Sequence, residues 1–466
     1  MEFKKILANL PEVKGPTQRR LPFNEKLKWS LIILVSFFIL SSIPLWGLSE
    51  NALAQFEYLS IILGAKFGSL MSLGIGPIVT ASIVLQLLKG SGMLKLDTTT
   101  TEGRVFFQGL QKVLAIFFII FEAMIYVFMG GLSPSSALSP DGFRVMQFML
   151  VGQLFLGGIL VLYMDEVINK WGFGSGISMF IAAGVAAEIM VQAFSPLTTA
   201  GTLAFGSSQA PVGKVWVLFI SLIGRNPEGA GLALMAIIAT IIVFVFSIYG
   251  QAMKIEIPLS FGRIRGHGIR WPLHFIYTSV IPVILVSALL ANLQLWANLL
   301  EKWGRPILGT FSGNAPATGL VSWIYPPNLI ENIIIGSFAW SDLMHAGTYV
   351  LFMIGGSVLF SYFWMQTAGM DARSQANQMM SSGLQIPGFR RDPRVLESIL
   401  KRYTLPLTIM GGALVGFLAS AADLLGALSR GTGILLAVMI IYKLYEEIAQ
   451  QHMMDMYPGL RKMMGK

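Results

Sequence analysis

Ten apolar runs of spanning or near-spanning length recur along this chain. They lie at about 27–46, 74–88, 110–131, 146–164, 175–194, 231–251, 274–293, 347–367, 403–421 and 432–447. Roughly 20 apolar residues cross the ~30 Å hydrocarbon core as a helix. Ten such runs in 466 residues leave one fold class, an all-α polytopic membrane bundle. Only 12% of the residues are charged, against about 25% in a soluble domain. An even number of spans puts both termini on one side. With the N-terminus inside, the inner segments hold 26 Lys and Arg and the outer segments 7. Positive charge collects on the cytoplasmic side, so both termini are expected there, in a multi-pass cell-membrane protein.

The second run is too short. Ile75 to Leu88, entered through Gly74-Ile75-Gly76-Pro77 and closed by Lys89, reaches about 21 Å at ~1.5 Å per residue. A half-length helix beginning at depth is a broken span, and irregular backbone at depth is tolerated inside protein or against water. The apolar stretch before it, about 52–73, must then dip back into the membrane. Lys66 within that stretch needs an aqueous or paired setting. The expectation is a water-filled outer funnel with a short helix folded into it.

Two echoes link the halves. Pro77-Ile78-Val79-Thr80-Ala81-Ser82 resembles Pro282-Val283-Ile284-Leu285-Val286-Ser287, and Gly174-Ser175-Gly176-Ile177 resembles Gly431-Thr432-Gly433-Ile434. They fall in spans 2 and 7, then 5 and 10. Copies five spans apart have opposite orientation, which is the pattern of an inverted repeat with its working site between the halves. The segments are an N-terminal amphipathic piece (1–26), a first half (27–194), an external hinge loop (195–230) and a second half (231–466). In the first piece Phe3, Ile6, Leu7 and Leu10 share one helical face. No small-residue cleavage site follows it, so it is not read as a removable signal. In the hinge loop, Val215 to Ile223 is an apolar island too short to span. Basic loops occur at 251–273 and 368–402. They reflect either the inside bias alone or an anionic partner, RNA or an acidic protein.

Enzyme chemistry finds no residues. The chain has no cysteine, and none of its four histidines lies mid-span. Disulfides, thiolate metal sites and thiol nucleophiles are excluded. Asp165 and Asp371 sit at span ends, which does not suit an intramembrane aspartyl protease. No phosphate loop or metal-ligand spacing is present, so no catalytic residue, metal or cofactor is expected. Polar groups within the spans are few, chiefly Gln86, Glu122 and Asn292, with Glu188 near an outer end. Glu122 reads either as a structural hydrogen bond between helices or as an adjustable contact between helices that separate. The midplane candidates Ile75, Val79, Ile177 and Ile284 are apolar. An inverted-repeat secondary transporter needs a polar midplane site, so that alternative is disfavoured. An apolar constriction gates by dewetting and suits a large, chemically varied cargo. A pore-less assembly scaffold is the third reading.

The stretches Gly74–Leu88, Phe107-Gln108-Gly109-Leu110-Gln111-Lys112, Gly172–Gly184, Glu256-Ile257-Pro258, Ile281-Pro282-Val283-Ile284 and Gly416-Phe417-Leu418-Ala419 together resemble the SecY family of protein-conducting channels, archaeal in type. The resemblance implies ten helices in two inverted halves around an hourglass pore. Its apolar ring would be Ile75, Val79, Phe173, Ile177, Ile284 and Leu436. Phe173 is larger than the aliphatic residue expected at that position. The plug would run from Glu57 to Phe67, including Tyr58, Leu59, Ile61, Ile62, Gly64 and Lys66. A lateral gate between spans 2 and 3 and spans 7 and 8 would carry Gln86, Glu122 and Asn292. Implied partners are a SecE clamp subunit, a small third Sec subunit, signal-bearing polypeptides, membrane lipid and the ribosome, docked through Arg263, Arg265, Arg390 and Arg391.

Overall fold

Every one of the ten apolar runs carries a helix in the computed structural model. These helices, numbered in chain order, are α1 Phe23–Ser41, α2 Gly76–Gly90, α3 Thr101–Phe128, α4 Pro140–Trp171, α5 Gly176–Phe194, α6 Pro227–Ala252, α7 Ile281–Lys302, α8 Trp340–Thr367, α9 Pro393–Leu424 and α10 Gly431–Met456. The structure describes residues 11–17, 21–48, 68–90, 93–94, 101–128, 132–135, 138–198, 203–204, 210–261, 268–302, 305–312, 315–381, 384–385 and 392–456. Among the described residues six helices, α3, α4, α5, α6, α8 and α9, are long and apolar enough to cross a membrane. The other four occupy the remaining predicted runs. Phe117 and Phe121 on α3, Leu156 on α4, Ile241 and Val245 on α6, and Leu351 and Phe363 on α8 are exposed in mid-helix. Apolar surface of that extent suits hydrocarbon rather than water.

Contacts divide the chain into two compact units, Met1–Ala186 with Ile440–Lys466, and Ala187–Met439. The boundaries of these units fall inside α5 and α10. The end of α10 belongs to the first unit because Leu444 and Ile448 pack on its core, beside Ile33, Phe37, Ile78, Ile168 and Phe180. Phe37 stacks on Phe180 at 4.6 Å.

In this first unit the described end of the re-entrant stretch, 68–75, is a run of turns. Leu45 donates its backbone N–H to the Gly68 carbonyl at 2.8 Å, and Leu70 to Ile43 at 2.9 Å. Ser69, Met71, Ser72, Leu73 and Ile75 are buried. Irregular backbone here is therefore enclosed by protein, as its depth demands. The expected amphipathic helix over 1–10 lies outside the described residues. Its successor, residues 11–14, is strapped to α3 and α4. Val13 N–H donates to Glu166 at 3.0 Å, Lys170 donates to the Val13 carbonyl at 2.6 Å, and Trp171 Nε1 to the Lys14 carbonyl at 2.9 Å. Lys112 pairs with Glu166 and donates to the Pro11 carbonyl at 2.5 Å.

In the second unit α8 and α9 approach through small residues. A Cβ on Gly416 would lie 2.7 Å from the Met353 carbonyl oxygen and 2.9 Å from Ser357 Oγ, and one on Gly412 2.5 Å from Ser361 Oγ. Small side chains let membrane helices reach this contact. The predicted apolar island is the helix Lys214–Ile223, with no buried residue.

The basic loops hold a departure from the all-helical expectation. Strands β1 Lys254–Phe261 and β2 Gly268–His274 form an antiparallel hairpin in register Lys254–His274 through Ser260–Gly268. A short β3, Leu384–Gln385, comes from the other basic loop and adds to β1 at Ser260 and Phe261. Ile257 and Leu273 of the sheet pack with Ala376, Met379, Leu396 and Leu400. Pro258 precedes the point where β3 joins, and Pro272 lies on the outer strand. Proline is tolerated at both places because no ladder donor is needed there.

Candidate functional site

The first echo extends from sequence to backbone. Before α2, Gly74 adopts φ 54° and donates to the Met71 carbonyl at 2.8 Å. The Ile75 carbonyl then accepts from Ile78 at 3.1 Å and Val79 at 3.0 Å. Before α7, Ser279 adopts φ 64° and donates to Ile276 at 3.3 Å, and the Val280 carbonyl accepts from Val283 at 3.0 Å and Ile284 at 3.2 Å. In each case a left-handed residue stands three positions before a proline, and that proline is the second residue of the helix. Proline fits there because its missing N–H has no helical partner. Glycine adopts the left-handed turn freely, whereas a serine there is uncommon. Val79 and Ile284 thus occupy the same place on two separately built helix starts.

Of the six expected ring residues, Ile75, Val79, Phe173 and Ile177 share one apolar cluster in the first unit. Phe173 is 2% exposed, packs against Phe23 at 5.3 Å, lies beneath Lys26 and donates its N–H to Ser30 Oγ at 3.1 Å. In the second unit Leu436 packs on the cluster of Ile276, Val283, Val286 and Leu290, and Ile284 is half-buried.

Among the gate candidates, Glu122 is half-buried on α3, one turn before Tyr126. Gln86 lies in the second half of α2 and Asn292 in the middle of α7, and their side chains are outside the described residues. So are the plug candidates from Glu57 to Phe67 and the arginines at 263, 265, 390 and 391. The stems of the two arginine-bearing loops are nonetheless paired, Ser260 with Gln385 and Phe261 with Leu384. Among the described residues no group of three His, Asp or Glu is placed to hold a metal.

Sequence reasoning placed Asp165 only as a span-end carboxylate and missed Asp423. Asp165 on α4 accepts from the backbone N–H of Ile177 at 2.9 Å. Asp423 on α9 accepts from the backbone N–H of Gly431 at 2.8 Å, and its other oxygen accepts from the Tyr349 hydroxyl at 2.6 Å. The available signal was position, since each aspartate lies within ten residues upstream of its Gly-x-Gly-Ile echo. Glu188 on α5 likewise finds a partner, accepting from Ser429 Oγ at 3.1 Å.

These features define a polytopic α-helical membrane protein built on duplicated, proline-led helix starts. The chain belongs to the SecY family, whose family model matches residues 69–445, while the model for the plug domain of Sec61p matches residues 35–68. The protein translocase subunit SecY of Methanothermobacter thermautotrophicus is 46% identical, over 100% of this chain and 98% of its own length. That of Pyrococcus furiosus is 40% identical over 98% and 97%. A solved protein-conducting channel superposes with a TM-score of 0.77 at 39% identity, covering 97% of this chain and 98% of its own. Sec61 from the canine ribosome–channel complex gives 0.75 at 38% identity, with the same coverage. The family is one of channels rather than enzymes.

Proposed function

We propose that the chain is the channel-forming subunit of a cell-membrane protein translocase, with both termini cytoplasmic, and that it passes unfolded polypeptide through an apolar waist. The observation that carries the reading is the matched pair of helix starts, which presents Val79 and Ile284 from equivalent first turns. Ile75, Val79, Phe173, Ile177, Ile284 and Leu436 form the resting seal, and the segment from Glu57 to Phe67 is its plug. Apolar rings exclude ions by dewetting. Gln86, Glu122 and Asn292 line the lateral gate.

A signal sequence gains about 25 cal/mol per Å² of apolar surface moved out of water. That gain offsets separation of the gate helices and loss of their polar contacts. Polar chain then threads the ring, and sufficiently apolar segments leave sideways into lipid. A SecE clamp and a small third subunit complete the complex. The ribosome docks through Arg263, Arg265, Arg390 and Arg391. The pairing of their loop stems in one sheet supports a single docking face.

The test is a photocrosslinker at position 79 or 284 with a stalled, signal-bearing nascent chain. Crosslinks that require the signal are expected at both positions. Absence of crosslinks there, with the stalled chain otherwise engaged, overturns the reading.

A further inference from the structure

The first amides of a helix have no partner within it, and where that helix end is buried they must find one in protein. The usual solution is a short polar side chain on the capping residue itself. The helices α5 and α10 are built differently. The acceptor for Ile177 N–H is Asp165 of the preceding helix, 9% exposed. The acceptor for Gly431 N–H is Asp423, again of the preceding helix, braced by Tyr349. Each junction is also closed by a glycine. A Cβ on Gly176 would lie 2.7 Å from both Asp165 Cα and its Oδ1, and one on Gly431 would lie 2.1 Å from the Ala419 carbonyl oxygen.

These bonds therefore fasten one helix to another, where an ordinary cap would only finish one. We propose that Asp165 and Asp423 are a pair of positioning residues, one at each junction. They set the depth at which α5 and α10 begin and so hold Ile177 and Leu436 at the seal. The inference rests on the ring reading above. Ile177 is itself the donor to Asp165, so slack in that bond moves a ring residue directly. Leu436 follows Gly431 by about a turn and a half of helix. Tyr349 adds a second tie, so that α8 also holds the α9–α10 junction.

The experiment uses the complete complex in planar bilayers and compares Asp165→Ala, Asp165→Asn, Asp423→Ala, Asp423→Asn and Tyr349→Phe. Asparagine keeps an oxygen that accepts the backbone N–H; alanine does not. The expected result is a resting ion leak raised about tenfold in each alanine variant, the factor that ~1.4 kcal/mol supplies, within the range for loss of a helix cap. The asparagine variants should stay within about twofold of the parent, and Tyr349→Phe should fall between. A leak unchanged in the alanine variants overturns the proposal, as does an equal leak in alanine and asparagine variants. The ring reading is checked separately in the parent. Ile177→Cys or Leu436→Cys, modified with a bulky charged thiol reagent, should block conduction through the opened channel. Failure to block would refute the ring whatever the aspartate variants do.

Discussion

Removing the Lys112 side chain should release the strap formed by residues 11–14. The ammonium has three partners, the Glu166 carboxylate, the Pro11 carbonyl and the face of the Tyr163 ring, 5.1 Å to its centroid. Side-chain exposure is 9% for Lys112 and 16% for Glu166, so water compensates little. Breaking a buried pair from one side costs about 3–5 kcal/mol, because a charge is left without its partner. Glu166 keeps the Val13 N–H, which points to the lower end, about 3 kcal/mol. At ~1.4 kcal/mol per factor of ten, detachment becomes about 100-fold more frequent. The absence of cysteine makes the assay clean. Val13→Cys is the sole thiol, and its labelling rate follows the detached population when reclosing is fast. Lys112→Met should raise that rate about 100-fold. Adding Glu166→Gln should recover about tenfold, since glutamine still accepts the Val13 N–H and leaves no orphan charge. A rise below about threefold in Lys112→Met would refute the reasoning. A double variant as labile as the single would show that the orphaned carboxylate is not the cause.

Gly416→Leu should destabilise the α8–α9 pair by about 1–3 kcal/mol or more, because its Cβ would meet the Met353 carbonyl oxygen at 2.7 Å. Thermal unfolding of the purified complex measures this, and a melting temperature unchanged from the parent would count against the close approach. Reversing charge at Arg263 and Arg390 to Glu should weaken ribosome binding at low salt and flatten its salt dependence. Equal binding by parent and variant across a salt titration would remove those arginines from the docking face.

The ten helices were legible because each depends on composition within one stretch, and lipid imposes that composition without help from distant residues. The Pro77 and Pro282 echo was legible for a similar reason, since a helix start is a local event. The left-handed Ser279 was not, because serine does not announce that conformation as Gly74 does. The sheet was hidden by its own residues. Lys254 to Phe261 alternates polar and apolar, a strand signal, but it lies in a segment that its basic charge and its place between two spans mark as a loop. The third strand depends on Leu384 and Gln385, far along the chain. Asp165 and Asp423 show the same limit. A carboxylate at a helix end reads as surface charge until its acceptor role toward another helix is seen.

The addition of β3 to β1 also has a consequence for the order of assembly. The hairpin of β1 and β2 is complete as soon as residue 274 has been made, but its third strand arrives only after α7 and α8. Non-local pairings form late because the intervening chain must first be ordered. During synthesis the hairpin therefore waits with one edge open. The joined face becomes available only when eight of the ten helices have emerged, so a nascent copy lacks this surface until most of its own insertion is done.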